Sequence, residues 1–110
     1  MSSLLKKNLP QIIQTLGRFA PELTARIALD LFLRPPRHHR PDREKPTWKK
    51  SIPLKLPSGL AARILNPGFD EVWFIHGWAG RGSQFYVMAE AVAEAGFSAV
   101  MWDGPAHGDS

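Results

Sequence analysis

Between residues 72 and 102 the hydrophobic period changes twice, and that change limits what the chain can fold into. Val72-Trp73-Phe74-Ile75 is a continuous apolar run, the pattern of a strand covered on both faces. His76-Gly77-Trp78-Ala79-Gly80-Arg81-Gly82 follows as a glycine-rich loop. Ser83 is placed to cap a helix over 84–95, with Phe85, Met88, Ala89, Val92 and Ala93 on one face and Gly96 as its stop. Residues 97–102 form a second apolar strand. Strand, loop, helix and strand make a right-handed βαβ unit, so the fold class is α/β. Ligands in such sheets sit beyond the carboxyl ends of the strands. The loops 76–82 and 103–110 both fall at that end and are expected to face one crevice.

Upstream, residues 48–56 alternate apolar Trp48, Ile52, Leu54 and Leu56 with polar or proline positions, which predicts a strand. Pro53 marks it as an edge strand, where a missing N–H does no harm. Pro57-Ser58-Gly59 turns the chain into a second strand over 60–65, giving an antiparallel hairpin, and Asn66-Pro67-Gly68 turns it again. The first 34 residues read as two short helices. In the second, Leu23, Ile27 and Leu31 recur at spacing four, and Glu22, Arg26, Asp30 and Arg34 form a stripe of alternating charge. That balanced stripe favours packing on the protein itself over a membrane surface.

The net charge of +4 is concentrated in one place. Residues 34–50 hold seven basic side chains against Asp42 and Glu44, while the other 93 residues carry seven basic and eight acidic ones. Pro35, Pro36, Pro41 and Pro46 fall in the same segment and predict an extended, solvated connector. No aromatic residues alternate with its arginines to stack bases, so no nucleic-acid partner is expected. The composition change sets a lead-in over 1–46 and a domain over 47–110. A chain of 110 residues without cysteine has no disulfide, thiolate metal site or cysteine nucleophile. Its four histidines lack zinc-ligand spacing, so neither metal nor cofactor is expected. After Lys6 and Lys7 the apolar stretch is broken by Pro10, Gln11, Gln14 and Arg18, too short for a secretory signal or a membrane span. The expectation is a cytoplasmic chain with no stable membrane insertion.

A glycine-rich turn between strand and helix favours negative charge, and three chemistries use it. A P-loop would need a lysine where Ser83 stands. A dinucleotide site could use Gly80, Gly82 and Asp103, but Phe85 occupies the place of the third glycine. The third is an oxyanion hole built from backbone N–H donors. At Phe74-Ile75-His76-Gly77-Trp78, Gly80-Arg81-Gly82-Ser83-Gln84-Phe85 and Asp103-Gly104-Pro105-Ala106-His107-Gly108-Asp109-Ser110 the sequence resembles the α/β-hydrolase superfamily. Those residues are similar to its strand-HG-x loop and its D-x-P-x-H-G-x-S block, in order and at the right distance.

The resemblance implies the N-terminal part of a serine-type hydrolase sheet over 47–110: an antiparallel hairpin, then the βαβ unit, preceded by two short helices. It implies that the Trp78 N–H is one oxyanion-hole donor, with His76 and Gly77 positioning the loop. The intact parent would hydrolyse small-molecule carboxylic esters through a Ser-His-Asp triad whose serine lies on a G-x-S-x-G elbow after the next strand. Ser58, Ser83 and Ser98 lack that glycine pair, and Ser110 has only Gly108 before it. Nucleophile, acid and base are therefore not expected within these residues, and residues 1–110 alone should be inactive. His107 is expected to be a turn residue, and Asp103 to fix its turn through bonds to backbone amides. The strand at 72–75 would pair next with the nucleophile strand; without it, an uncovered edge favours aggregation. The contrasting reading is a non-catalytic binding protein or truncated hydrolase remnant, using helix 22–33 and segment 34–50 as a docking surface. A nucleotide-binding βαβ protein ranks third.

Overall fold

Two helices, each with an apolar face, make the first unit. The computed structural model describes residues 3–110, which divide into compact units at Arg34/Pro35. In the first, α1 (Ser3–Phe19) brings Leu5, Leu9, Ile12 and Leu16 to one face, and Pro10 lies inside it. Ala20 leaves helical geometry at φ −143°, and Pro21 starts α2 (Pro21–Leu33), where its missing N–H costs nothing. The Thr24 N–H and hydroxyl both donate to the Ala20 carbonyl, at 3.0 and 2.7 Å, closing the joint. The helices pack on each other, yet neither contains a buried residue.

The second unit, Pro35–Ser110, carries a four-stranded mixed sheet, in general terms an α/β arrangement. Strands β1 (Ile52–Lys55), β2 (Ala61–Leu65), β3 (Glu71–Phe74) and β4 (Ser98–Trp102) lie in the order β1-β2-β4-β3. The β1–β2 and β2–β4 pairs are antiparallel, and β3–β4 is parallel, with Phe74 opposite Met101. Pro53 does lie on an edge strand, opposite Arg63. The turn at 66–68 puts Asn66 at φ 57° and Gly68 at φ 97°. Asn66 Nδ2 then donates to the Phe97 carbonyl at 3.1 Å, tying this turn to the entry of β4.

Several local expectations change. Residues 34–50 are not a solvated connector throughout: Asp42–Glu44 is a 3₁₀ turn and α3 (Lys45–Lys50) a short helix. Pro46 sits in the first turn of α3, where proline is tolerated, and Trp48 is buried on this helix rather than at the start of a strand. The compact unit therefore begins at Pro35, ahead of the composition change at 46/47. Ser83 does not cap a helix from 84 on; Gly82–Phe85 is a 3₁₀ turn and α4 spans Tyr86–Glu94. Met88 is exposed, and α4 packs through Ala89, Val92 and Ala93, with Phe85 of the preceding turn beside them. Finally, β3 is covered on one face only. Phe74 is buried against the ring of Phe85 at 5.4 Å, while Trp73 remains 44% exposed at the sheet edge. A continuous apolar run cannot say which strand will be the last of its sheet.

The core joins Trp48, Leu65, Phe74, Ala89, Ala99 and Met101 between the helices and the sheet. All of β4 but its last residue is buried, as expected for a central strand.

Candidate functional site

Because β3 and β4 run parallel, the loops after Phe74 and Trp102 leave the sheet at the same end, and the side chains of one bond the backbone of the other. The Gly104 N–H donates to His76 Nε2 at 2.8 Å, and the Ala79 N–H donates to His107 Nε2 at 2.8 Å. An amide N–H can only donate, so in these two contacts each Nε2 is the acceptor and Nδ1 is left as the donor nitrogen of its ring. Those donors are also engaged: His76 Nδ1 donates to the Gly77 carbonyl and His107 Nδ1 to the Pro105 carbonyl, each at 2.8 Å. The two rings lie 4.8 Å apart, and His76 stacks on Trp102 at 5.9 Å. Both histidines hold loops, with no ring nitrogen left for proton transfer.

Asp103, 0% exposed, is the second tie. Its Oδ1 accepts the Gly82 N–H at 2.7 Å and its Oδ2 the Asp109 N–H at 2.9 Å. It therefore fixes its own turn and the glycine loop as well. Gly82 is required there: a Cβ would lie 2.9 Å from the backbone of Met101 and Trp102, where neither can yield. At Gly77 a Cβ would meet only open space, so packing does not explain that glycine. Trp78 follows it, 54% exposed. His76, Gly77 and Trp78 thus stand together in the loop after β3, with His76 anchored to the loop after β4.

The basic segment completes the arrangement from behind. Arg40 lies 3.9 Å over the Trp48 ring, donates to Ser83 Oγ, and reaches Asp103 Oδ2 at 3.6 Å and Asp109 Oδ2 at 3.4 Å. Glu44, 1% exposed, takes a forked pair from Arg81, with Nε at 2.7 Å from Oε1 and Nη2 on Oε2, and a bond from Ser83 Oγ at 2.6 Å. Burial alone would push the Glu44 carboxyl up, but the hydrogen bonds from Arg81 and Ser83, with the Arg81 charge, hold it below its ordinary value. Arg37 donates to the carbonyls of Gly108 and Ser110 at 2.8 and 2.7 Å. Lys50 pairs with Glu90 at 2.5 Å. Of the charged side chains in this segment only Arg40 and Glu44 are turned inward; Arg37 and Lys50 bond the unit while remaining exposed. Nothing in the spacing of Arg37, Arg40 and Glu44 pointed to this; the one available signal was an acid, Glu44, inside a run of bases.

Neither serine near these loops is a ready nucleophile. Ser83 Oγ lies between Glu44 and Arg40, and Ser110 Oγ donates to the Asp103 carbonyl while accepting the Ala61 N–H at 2.8 Å. Among the described residues no group of three or more His, Asp or Glu could hold a metal ion, and no helix is long and apolar enough to cross a membrane. The arrangement is a pair of loops bonded to each other at the carboxyl ends of two parallel strands. No model of a known protein family, no curated protein and no solved structure matches the chain.

Proposed function

We propose that residues 47–110, buttressed by 35–46, are the N-terminal part of an α/β-hydrolase domain whose complete form hydrolyses carboxylic esters of small molecules. The observation that carries the reading is the loop pair: loop 76–82, which contains His76-Gly77-Trp78, is tied at His76, Ala79 and Gly82 to Gly104, His107 and Asp103. A donor fixed this way needs no reorganisation as charge develops, which is what an oxyanion hole requires. The Trp78 N–H is that donor in this reading, and the bare Cα of Gly77 leaves room for the substrate carbonyl. The order β1-β2-β4-β3 also supports it, since β3 is then the edge beside which the resemblance puts the nucleophile strand. Attack comes from an activated serine on that strand's elbow, with the acid and histidine later still.

The test is to read and express the coding sequence beyond codon 110. The expected result is an in-frame G-x-S-x-G followed by an acid and a histidine. The longer chain should hydrolyse p-nitrophenyl esters, and residues 1–110 should not. In the longer chain Trp78→Pro, which deletes the N–H, should lower kcat by about 10²–10³, whereas Trp78→Ala keeps the donor and most of the rate. A stop directly after Ser110, or equal activity of these two variants, would overturn the reading.

A further inference from the structure

We infer that α1 attaches the chain to an anionic lipid surface, lying along it rather than crossing it. The helix has 17 residues with polar and apolar side chains sharply segregated and little net hydrophobicity, the combination typical of interfacial helices. Helix α2 takes up only one side of its apolar face. Leu9, Ile13 and Gly17 are partly covered, while Ile12, Leu16 and Phe19, one step round the helix, remain exposed, Phe19 at 83%.

Charge decides between the surfaces that such a stripe could meet. The charged residues of α1 are Lys6, Lys7 and Arg18, with no acid among them. Lys6 borders the apolar sector, and Lys7 and Arg18 lie on the face opposite it. From the border Lys6 can reach lipid phosphates while the stripe sinks among the acyl chains, and Lys7 and Arg18 add the longer-range attraction of a basic polar face. A second copy of this helix is also basic and carries no acid, so it offers no ion pair across an α1–α1 contact. In α2 the stripe Glu22, Arg26, Asp30 and Arg34 is balanced, and it contributes no such attraction.

The chain has no cysteine, so a single introduced one can carry an environment-sensitive fluorophore. Labelled Ile12→Cys and Gln14→Cys chains would be mixed with vesicles of phosphatidylcholine alone or with phosphatidylglycerol added. The expected result is a blue shift at position 12 and none at position 14, with anionic vesicles only. Lys6→Gln with Lys7→Gln should weaken the vesicle affinity by roughly fivefold per lysine, and added salt should mimic that loss. Both lysines are exposed, so the double variant keeps the helix, which circular dichroism checks. No shift with either vesicle, equal shifts at both positions, affinity unchanged in the lysine variant, or a shift that appears without lipid on self-association would each overturn the inference. Binding to heparin as tight as to vesicles would do so too, since the apolar stripe would then have no part.

Discussion

Helices α1 and α2 leave Leu23, Ile27, Leu29 and Leu33 exposed along with the α1 stripe, whereas residues 35–110 bury Trp48, Phe74 and Met101 together with Glu44, Ser83 and Asp103. Both regions have ample apolar residues, so hydrophobic content does not separate them. The difference is layering. A two-helix hairpin has one seam and must leave its outer apolar faces open, while a sheet with α3 and α4 against it encloses a volume. Enclosure then makes the polar contacts matter, because a buried charge must find partners. Among the described residues no buried side-chain nitrogen or oxygen lacks a hydrogen bond. The Asp30–Arg34 pair of the first region is exposed, whereas the Arg81–Glu44 and Arg40–Asp103 pairs of the second are enclosed, so equivalent substitutions at these pairs should act very differently.

The largest effect is expected at Asp103. Asp103→Ala strands the Gly82 and Asp109 N–H groups and removes a partner from Arg40, inside a site closed to water. Breaking a buried pair from one side typically costs about 3–5 kcal/mol. All four tryptophans lie in residues 35–110, so urea unfolding followed by tryptophan fluorescence reports that unit alone. A midpoint lowered by less than about 1 kcal/mol of stability would mean that the two loops are held by something other than this carboxylate.

Glu44 comes next, and here pH is the lever. Its carboxyl lies below the ordinary value when folded, so folding stability is fully present above the unfolded-state value near 4.3 and is lost as pH falls through the folded one. Glu90, held down by the hydrogen bond and charge of Lys50 and by Thr47, adds to the same slope. Glu44→Gln should cost about 2–3 kcal/mol at neutral pH, because Arg81 loses its charged partner. It should also flatten the acid slope below about pH 4. An unaltered slope in the variant would assign acid sensitivity to Glu90 and other carboxylates instead.

These residues also show what could be read before the fold was known. The βαβ order, the hairpin with Pro53 on an edge, and the meeting of loops 76–82 and 103–110 follow from period, turn residues and strand polarity, all of them local. The role of Asp103 was legible because an aspartate at a strand end satisfies nearby amides. The clamp of Arg37, Arg40 and Glu44 was not, because it joins residues far apart in sequence, Glu44 to Arg81 and Arg40 to Asp103. Prolines suggested an open linker there, but proline excludes only helix interiors. Pro46 at the start of α3 and the extended 35–41 run satisfy that rule while still packing.

The smallest effect is expected in the hairpin. Asp30 and Arg34 pair at 3.3 Å one helical turn apart, with side chains 57% and 78% exposed, the same kind of ions as Asp103 and Arg40. In water the attraction is screened and offset by the entropy of holding two long side chains, leaving no more than about 0.5 kcal/mol. Asp30→Ala should therefore shift the far-ultraviolet circular dichroism melt by an amount near its error and leave the tryptophan signal unmoved, since no tryptophan lies before Trp48. Alanine is also the better helix former, which offsets part of even that small loss. A fall of 2 kcal/mol or more in that variant, roughly the scale reserved for buried pairs, would mean that Asp30 is enclosed in solution. The contrast between an open helical region and a closed sheet region would then no longer hold.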